Sequence, residues 1–305
     1  MNDVDTNIST EHRCGVVAIA GRPNVGKSTL LNALLRAKVA IVTPKPQTTR
    51  DRILGILSRP GYQMLFQDTP GIHVPHKALN RAMLESAIAT LKDSDVIVFV
   101  TDAIEKPNGP LRDRVALERL HDARKPVILV LNKIDTVAHL KLLPVIDAYR
   151  KEFEWQAIIP VSALKRDGLD LLEREIAGCL PVGPSMYPDD ELSDRSLRFM
   201  AAEAIREQVM LATREEVPYS TAVTIDGFEE PNPPAAVVVT ATIHVERDSQ
   251  KGIIIGHGGS MLKQIGTEAR KAIQTLVERK VMLKLHVRVD SDWSETDKGI
   301  RKMGY

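Results

Sequence analysis

An α/β fold built on a doubly wound sheet, followed by a smaller α+β domain, is predicted by three features of this 305-residue chain. From Cys14 to Leu180, short β-branched runs alternate with longer helix-like stretches, the signature of βαβ units. That pattern stops in a stretch without periodicity, Pro181-Val182-Gly183-Pro184-Ser185-Met186-Tyr187-Pro188 and then Asp189-Asp190-Glu191. Beyond it the elements read helix, strand, strand, short element, long helix, strand. The length supports two separate cores. The expected divisions are a loose tail at 1–13, a first domain at 14–181, a linker at 182–193, a second domain at 194–292 and a C-terminal tail at 293–305.

Bulk composition narrows the function classes without choosing one. A net charge of +1 with 27% charged residues excludes a uniformly basic coat, so any nucleic-acid contact must be a local patch. Cys14 and Cys179 lack metal-ligand spacing and read as reduced thiols. No apolar stretch approaches the length of a membrane span, and the polar, acidic N-terminus has no apolar signal core, which points to a cytoplasmic protein.

In the first domain the expected strands are Gly15 to Ala20, Ile53 to Leu57, Tyr62 to Gln67, Asp95 to Thr101, Val127 to Leu131 and Ala157 to Val161. Several are continuous apolar runs, as parallel strands covered on both faces must be. In the second, a helix opens near Asp194, with Leu197, Met200, Ala204 and Leu211 on one face. Strands at Ser220 to Gly227 and Ala235 to Arg247 follow, then a short element at Gln250 to Ile255, a helix near Met261 to Glu278 and a strand at Val281 to Asp290. Leu262, Ile265, Ala269, Ile273 and Leu276 form the expected core stripe of that long helix.

Gly21-Arg22-Pro23-Asn24-Val25-Gly26-Lys27-Ser28, with Thr29 opening a helical run, is a phosphate-binding loop in the strand-then-helix setting it requires. Glycines let backbone N–H groups converge on phosphate oxygens, Lys27 brings positive charge to the β and γ phosphates, and the Ser28 hydroxyl can ligate magnesium. Asn132-Lys133-Ile134-Asp135 follows a strand end and selects guanine, because the Asp135 carboxylate can accept from both the ring N–H and the exocyclic amine. Ser162 and Ala163, at the next strand end, can close over the base. Asp68-Thr69-Pro70-Gly71 lies between these motifs, with Asp68 placed to hold magnesium through water and the Gly71 N–H to sense the γ-phosphate. Upstream, Gln47-Thr48-Thr49-Arg50-Asp51 is a switch loop in which one threonine completes the magnesium shell, Thr49 in preference to Thr48.

These motifs, in this order, resemble the translation-factor-related class of P-loop GTPases, and Gly-Arg-Pro-Asn-Val-Gly-Lys-Ser-Thr with Thr-Thr-Arg resembles its ribosome- and tRNA-directed bacterial branch. Where Ras-like relatives carry a glutamine, this chain has Ile72, which cannot orient a water. The resemblance implies a substitute: Asn24 matches a P-loop asparagine that ligates potassium. Together with Lys27, Thr49 and Gly71 it makes up the expected catalytic set. Turnover without a partner is expected on the order of 10⁻⁴ to 10⁻² s⁻¹. His73 reads as a solvent-facing loop residue rather than a base.

Gly256-His257-Gly258-Gly259 matches the Gly-x-x-Gly loop of KH domains, and the α-β-β-α-α-β order around it is that of the type II KH fold. Such a loop clamps single-stranded RNA through its backbone. Lys263, Arg270 and Lys271, off the core stripe, are candidate phosphate contacts, as is His257. A P-loop GTPase joined to a type II KH domain with Asp194-Arg195-Ser196, Pro218-Tyr219-Ser220, Glu268-Ala269-Arg270-Lys271 and a closing Gly304-Tyr305 resembles the Era-like GTPases. That resemblance implies a monomeric GTP/GDP switch using Mg²⁺, with K⁺ as a further ligand. It also implies binding to the 3′ end of 16S rRNA, a role in 30S subunit maturation coupled to growth or division, and some peripheral association with the inner membrane. Two rival readings follow from the residues: a constitutive RNA-binding protein whose first domain is mainly structural, and a metabolic phosphotransferase, against which Asp135 argues.

Overall fold

The computed structural model describes residues 11–72, 78–104 and 114–305. Its first domain is a six-stranded sheet in the order β2-β3-β1-β4-β5-β6. The strands are β1 (Arg13–Ala20), β2 (Ile53–Arg59), β3 (Tyr62–Asp68), β4 (Val96–Asp102), β5 (Val127–Asn132) and β6 (Ala157–Pro160). β2 runs antiparallel to β3, and the other pairings are parallel. The helices are α1 (Lys27–Leu35), α2 (Ala78–Asp93), α3 (Arg114–Ala123), α4 (Leu142–Arg150) and α5 (Leu169–Cys179).

Alternation along the strands divides the core in two. Val17, Ile19, Val98 and Val130 pack under α1 and α5, against Leu30, Leu31, Leu172 and Ile176. Ala18, Ala20, Phe99 and Leu129 face α2, α3 and α4 through Ala87, Leu120 and Tyr149. Covering both faces is why these strands read as unbroken apolar runs.

The second domain comprises α6 (Leu197–Ala212), β7 (Ala222–Glu229), β8 (Val237–Val245), α7 (Asp248–Ile255), α8 (Ser260–Val277) and β9 (Val281–Val289). Its sheet runs β7-β8-β9, with β7 and β8 antiparallel and β8 and β9 parallel. Val237, Val239, Ala241 and Ile243 of β8 bury against Ile265, Ala269 and Ile273 of α8 and against Ala201 and Ile205 of α6. Ser196 caps α6, its side chain accepting from the Phe199 N–H.

The segments expected at the two ends and in the linker differ from expectation in a common way. Residues 293–305 are not a tail. They carry a short helix, α9 (Asp297–Lys302), capped by Thr296, and pack Trp293, Ile300 and Met303 against Leu79 and Met83 of α2. Residues 1–10 lie outside the described ones, but Arg13, assigned to the N-terminal tail, already belongs to β1 and donates to Leu180 O at 2.6 Å. The proline-rich linker is strapped down: the Gln63 side chain holds the Met186 and Tyr187 N–H groups at 2.8 and 3.0 Å, and Ile56 N donates to Leu192 O at 2.9 Å. At Arg13 and in the linker the partners include groups of the sheet, and at 293–305 a few apolar side chains dock on α2; apolar periodicity registers neither.

Candidate functional site

The phosphate-binding loop joins β1 to α1 at the C-terminal edge of the sheet, with its glycines in use. Gly26 has φ 97°, and a Cβ there would lie 2.3 Å from Asn132 Nδ2. Lys27 is buried and donates to Gly21 O and Arg22 O at 3.1 and 2.9 Å. Val25 turns into the core and Thr29 lines the cavity beside the loop. That cavity, about 370 Å³, is walled by the P-loop, residues 41–44 and 47–49, Gly71 and Lys133. Gly71 approaches so closely that a Cβ would meet Pro23 N at 2.6 Å.

Three oxygens converge beside it. Ser28 Oγ donates to Asp68 Oδ2 at 2.6 Å, Thr49 Oγ1 to the same oxygen at 3.1 Å, and the two hydroxyls are 2.9 Å apart. Burial pushes the Asp68 carboxyl up, against the opposing pull of Lys27, Ser28 and Thr49. Its second oxygen, Oδ1, is buried and has no hydrogen-bond partner. An orphaned carboxylate oxygen beside two hydroxyls suits a hard divalent cation, which takes oxygen ligands. Thr48 is elsewhere: its hydroxyl lies 2.7 Å from that of Thr43 and donates to Lys45 O at 2.8 Å. Thr69 ties the motif to β1 by donating to Ile19 O at 2.8 Å, and Pro70 is buried. Ile72 buries its side chain in the core beneath the site and presents only its backbone, whose N–H donates to Gly21 O at 3.1 Å. His73 lies outside the described residues.

At the neighbouring strand ends, Asn132 is a brace. Its amide donates to Val25 O at 2.8 Å and its carbonyl accepts from Ala163 N at 3.1 Å, joining three loops. Lys133 donates to Asn24 O at 2.7 Å. Asp135 is exposed, and Ser162 Oγ donates to its Oδ1 at 2.6 Å while accepting from Lys165 N at 3.1 Å. Asp135, Ser162 and Ala163 thus form a group of their own, outside the lining of the phosphate cavity. Asn24 is exposed, and its side-chain amide reaches across to Pro44 O at 3.0 Å.

In the second domain Gly256, Gly258 and Gly259 all hold positive φ, at 72°, 57° and 79°, a loop that L side chains resist. Behind it a groove of about 520 Å³ runs between α8 and β9, lined by Gly259, Leu262, Lys263, Gly266, Thr267, Arg270, Leu283 and Leu285. Lys263 and Arg270 are exposed on it, as is His257 at the loop. Lys271 is not among its lining residues and pairs with Glu268 at 2.7 Å. Leu262, expected in the core stripe, is only half-buried and faces the groove. The sequence reading missed Gly266, Thr267, Leu283 and Leu285; the alternation Leu283-Lys284-Leu285-His286 in β9 was the available signal for the two leucines.

Residues 16–133 match the family described as 50S ribosome-binding GTPase, and residues 216–294 match the KH domain family. The GTPase Era of Geotalea uraniireducens is 48% identical over 97% of this chain and 98% of its own length. That of Geobacter metallireducens is 47% identical over 96% and 98%. The chain belongs to the Era family of GTPases. A crystal structure of Era in complex with MgGDPNP and nucleotides 1506–1542 of 16S ribosomal RNA superposes with TM-score 0.92 at 42% identity, over 96% of this chain and 99% of that one. A single-residue variant of Aquifex aeolicus Era bound to GDP.AlF4- gives 0.91 at 42% identity over the same shares.

In this Era-family chain the switch loop is gripped by the KH domain. Arg50 is buried, donating to Thr221 O at 2.6 Å and to Pro218 O and Tyr219 O at 3.0 Å each. Its guanidinium lies 5.7 Å from the Trp293 ring and 5.5 Å from that of Tyr305. Arg206 of α6, buried and paired with Glu203 at 2.7 Å, donates to Thr48 O. Lys45 donates to Met210 O and Thr213 O, and Glu207 accepts from Lys38 and from Val42 N. Asp51, in the same seam, is pushed up to about 6 by burial and by Glu203, against Arg195, Arg206 and Arg50.

Proposed function

We propose that this chain is a slow GTP-hydrolysing switch that binds the 3′ end of 16S rRNA and acts in assembly of the small ribosomal subunit. One observation carries the reading: Thr49 meets Ser28 and Asp68 in the nucleotide site, while its neighbours Thr48 and Arg50 are held by the KH domain. Nucleotide chemistry and RNA grip therefore share one short segment.

The reaction is GTP plus water to GDP plus phosphate. The N-terminus of α1 and Lys27 receive the phosphates, an arrangement that stabilises negative charge through backbone N–H groups and the helix dipole. Ser28, Thr49 and Asp68 are the residues that would hold Mg²⁺. When bound, it neutralises charge on the β and γ oxygens. Gly71, against Pro23, presents its N–H where a γ-phosphate is sensed. The Asp135 carboxylate, steadied by Ser162, selects guanine. With the Ile72 side chain in the core, no side chain at that position orients the attacking water, and turnover of about 10⁻⁴ to 10⁻² s⁻¹ follows. Asn24, linked to Pro44 just before the switch loop, is the residue we assign to K⁺. Hydrolysis that is indifferent to replacing K⁺ with Na⁺ would remove that assignment.

RNA enters along the groove between α8 and β9, clamped at Gly256 to Gly259. The matching GTPase family's description names the large subunit, whereas the RNA-bound relative is in complex with 16S RNA, of the small subunit; its likeness to this chain over both domains favours the latter. We place the protein in the cytoplasm as a monomer. Among the described residues no helix is long and apolar enough to cross a membrane, so association with the inner membrane is peripheral in this reading.

The test is affinity for a 16S 3′-end RNA in the presence of a GTP analogue and of GDP. Coupling is reciprocal, so the two affinities should differ and the RNA should alter turnover in turn. Equal affinities, with Lys27→Ala supporting growth as well as the parent, would leave the constitutive RNA-binding reading standing.

A further inference from the structure

One wall of the nucleotide cavity is held from the other domain. Residues 41–44 form that wall, yet residues 38–50 contain no helix or strand, so their backbone groups must find partners outside a ladder. Two side chains, one from each domain, meet the first of these needs. Asn32 of α1 accepts from Val39 N and Ala40 N at 3.0 Å each and donates to Ala40 O at 2.8 Å. Glu207 of α6 accepts from Val42 N at 3.0 Å through Oε1 and from Lys38 Nζ at 2.6 Å through Oε2. The Glu207 side chain is only 4% exposed, and a buried carboxylate is costly unless hydrogen-bonded. Both of its oxygens are committed to residues 38–42. Past the wall, Lys45 donates to Met210 O and Thr213 O, carbonyls at the C-terminal end of the same helix, where a cation is favoured. α6 thus brackets the wall at both of its ends.

Behind the start of the wall lies a second cavity of about 270 Å³, mostly apolar, with Val39, Ala40 and Ile41 on one side and Ala204, Ala272 and Leu276 of α6 and α8 on the other. Ile41 lines both cavities, so the segment is a thin partition between them. We infer that Glu207 is a positioning residue of the nucleotide site: from the second domain it holds the partition in place and so sets the rate at which bound GDP leaves. Release requires residues 41–44 to withdraw, and withdrawal breaks the bonds from Val42 N and Lys38 to Glu207. The space beside Ala204 and Ala272 is where residues 39–41 can go. Opening of a covering segment limits product release, and with it turnover, in many enzymes. Here the latch on that segment belongs to the domain assigned to RNA. The inference rests on the nucleotide-binding reading above and adds to it a control on exchange that lies outside both the P-loop and the Arg50 contacts.

The experiment loads the full chain with fluorescently labelled GDP and follows its dissociation on chasing with excess unlabelled GDP, alongside the association rate and Tm. Glu207→Ala should raise the dissociation rate roughly tenfold, the loss expected for a hydrogen bond to a charged group, and leave association nearly unchanged. Glu207→Gln, whose side-chain carbonyl can still accept from Val42 N, should restore most of the parent rate. Ala272→Leu should act in the opposite sense and slow dissociation, because the added side chain takes up the space into which the partition withdraws; it carries the test if Glu207→Ala unfolds. A merely structural role would lower Tm and leave dissociation alone. That result for Glu207→Ala, or unchanged or faster dissociation for Ala272→Leu, would overturn the inference. Lys27→Ala separates it from the reading beneath: if that variant binds labelled GDP like the parent, the cavity beside the P-loop is not the nucleotide site, and the reading and the inference fall together.

Discussion

The proposed nucleotide site and the proposed RNA groove are built on opposite plans. In the first, each motif residue also braces another motif: Asn132 holds both Val25 and Ala163, Lys133 holds Asn24, Ser162 holds Asp135, and Gly26 and Gly71 exist at contact distance from Asn132 and Pro23. In the second, Lys263, Arg270 and His257 project from one helix and one loop and are exposed. A site that must hold a charged triphosphate in one pose is rigidified from within, and only a few residue types satisfy so many constraints. A groove that receives a flexible strand needs a clamp, a floor and some charge, and many residues can supply the last two. The interlocked site therefore writes a stronger signature into sequence than the open one.

The largest expected effect tests the interlocked site at Asp135, one of its exposed residues. Asp135→Asn should lower GTP affinity by roughly 10² to 10⁴-fold, because the guanine donors lose an ionised acceptor, and should shift preference to xanthine nucleotides. Tm should hardly change, since an asparagine carbonyl can still accept from Ser162 Oγ. Competition binding with GTP, XTP and ATP is the measurement. An equal loss for all three would mean that Asp135 supports the fold rather than reading the base.

Between the two regions lies the seam, where Arg50 matters most. Arg50→Ala leaves three carbonyls and two aromatic rings without their partner and should cost about 2–4 kcal/mol in denaturant unfolding. Arg50→Lys should recover little, because one ammonium cannot reproduce the fork. Either variant should also flatten the difference in RNA affinity between GTP-analogue and GDP states. Loss of stability with that difference intact would show that the seam is glue and not a link.

The seam also marks where sequence stops being informative. The βαβ alternation, the P-loop, the guanine motif and the α-β-β-α-α-β order are all written in side-chain identity and period. Arg50 was legible as a switch residue, but its partners are the backbone carbonyls of Pro218, Tyr219 and Thr221, and a carbonyl belongs to every residue type. The C-terminal segment was misread because Trp293, Ile300 and Met303 are too sparse among charges to set a period, although Thr296 before Asp297, with Arg301 and Lys302 at the end, is a readable helix signature.

A smaller effect follows from Asp51. Its carboxyl is held at about 6 rather than 3.8 by burial and by Glu203, so the folded chain keeps a proton that the unfolded chain releases. Stability contributed through this group should therefore fall as pH rises from about 4 to about 6 and stay lower above that. Asp51→Asn removes the charge and should stabilise the protein at pH 7 by less than roughly 3 kcal/mol, the bound set by a shift of about two units. Urea unfolding at pH 4.5 and pH 7, parent against variant, gives the sign. A variant less stable at pH 7 than the parent would show that the ionised carboxylate is an asset to the seam through Arg195, Arg206 and Arg50.

The smallest effect separates three charges on one helix and tests the looser of the two plans. Lys263 and Arg270 line the groove, whereas Lys271 is one residue on and engaged with Glu268 at 2.7 Å. Each lost phosphate contact should reduce the slope of log affinity against log salt by about 0.7 for a single strand. Lys263→Ala and Arg270→Ala should each show that reduction, and Lys271→Ala should show none, since its ammonium is already spoken for. The comparison needs only RNA titrations at several salt concentrations with the full chain. If Lys271→Ala matched Arg270→Ala, the strand would pass over the outer face of α8, and an exposed lysine in a surface ion pair would be contributing what the groove was assigned to do.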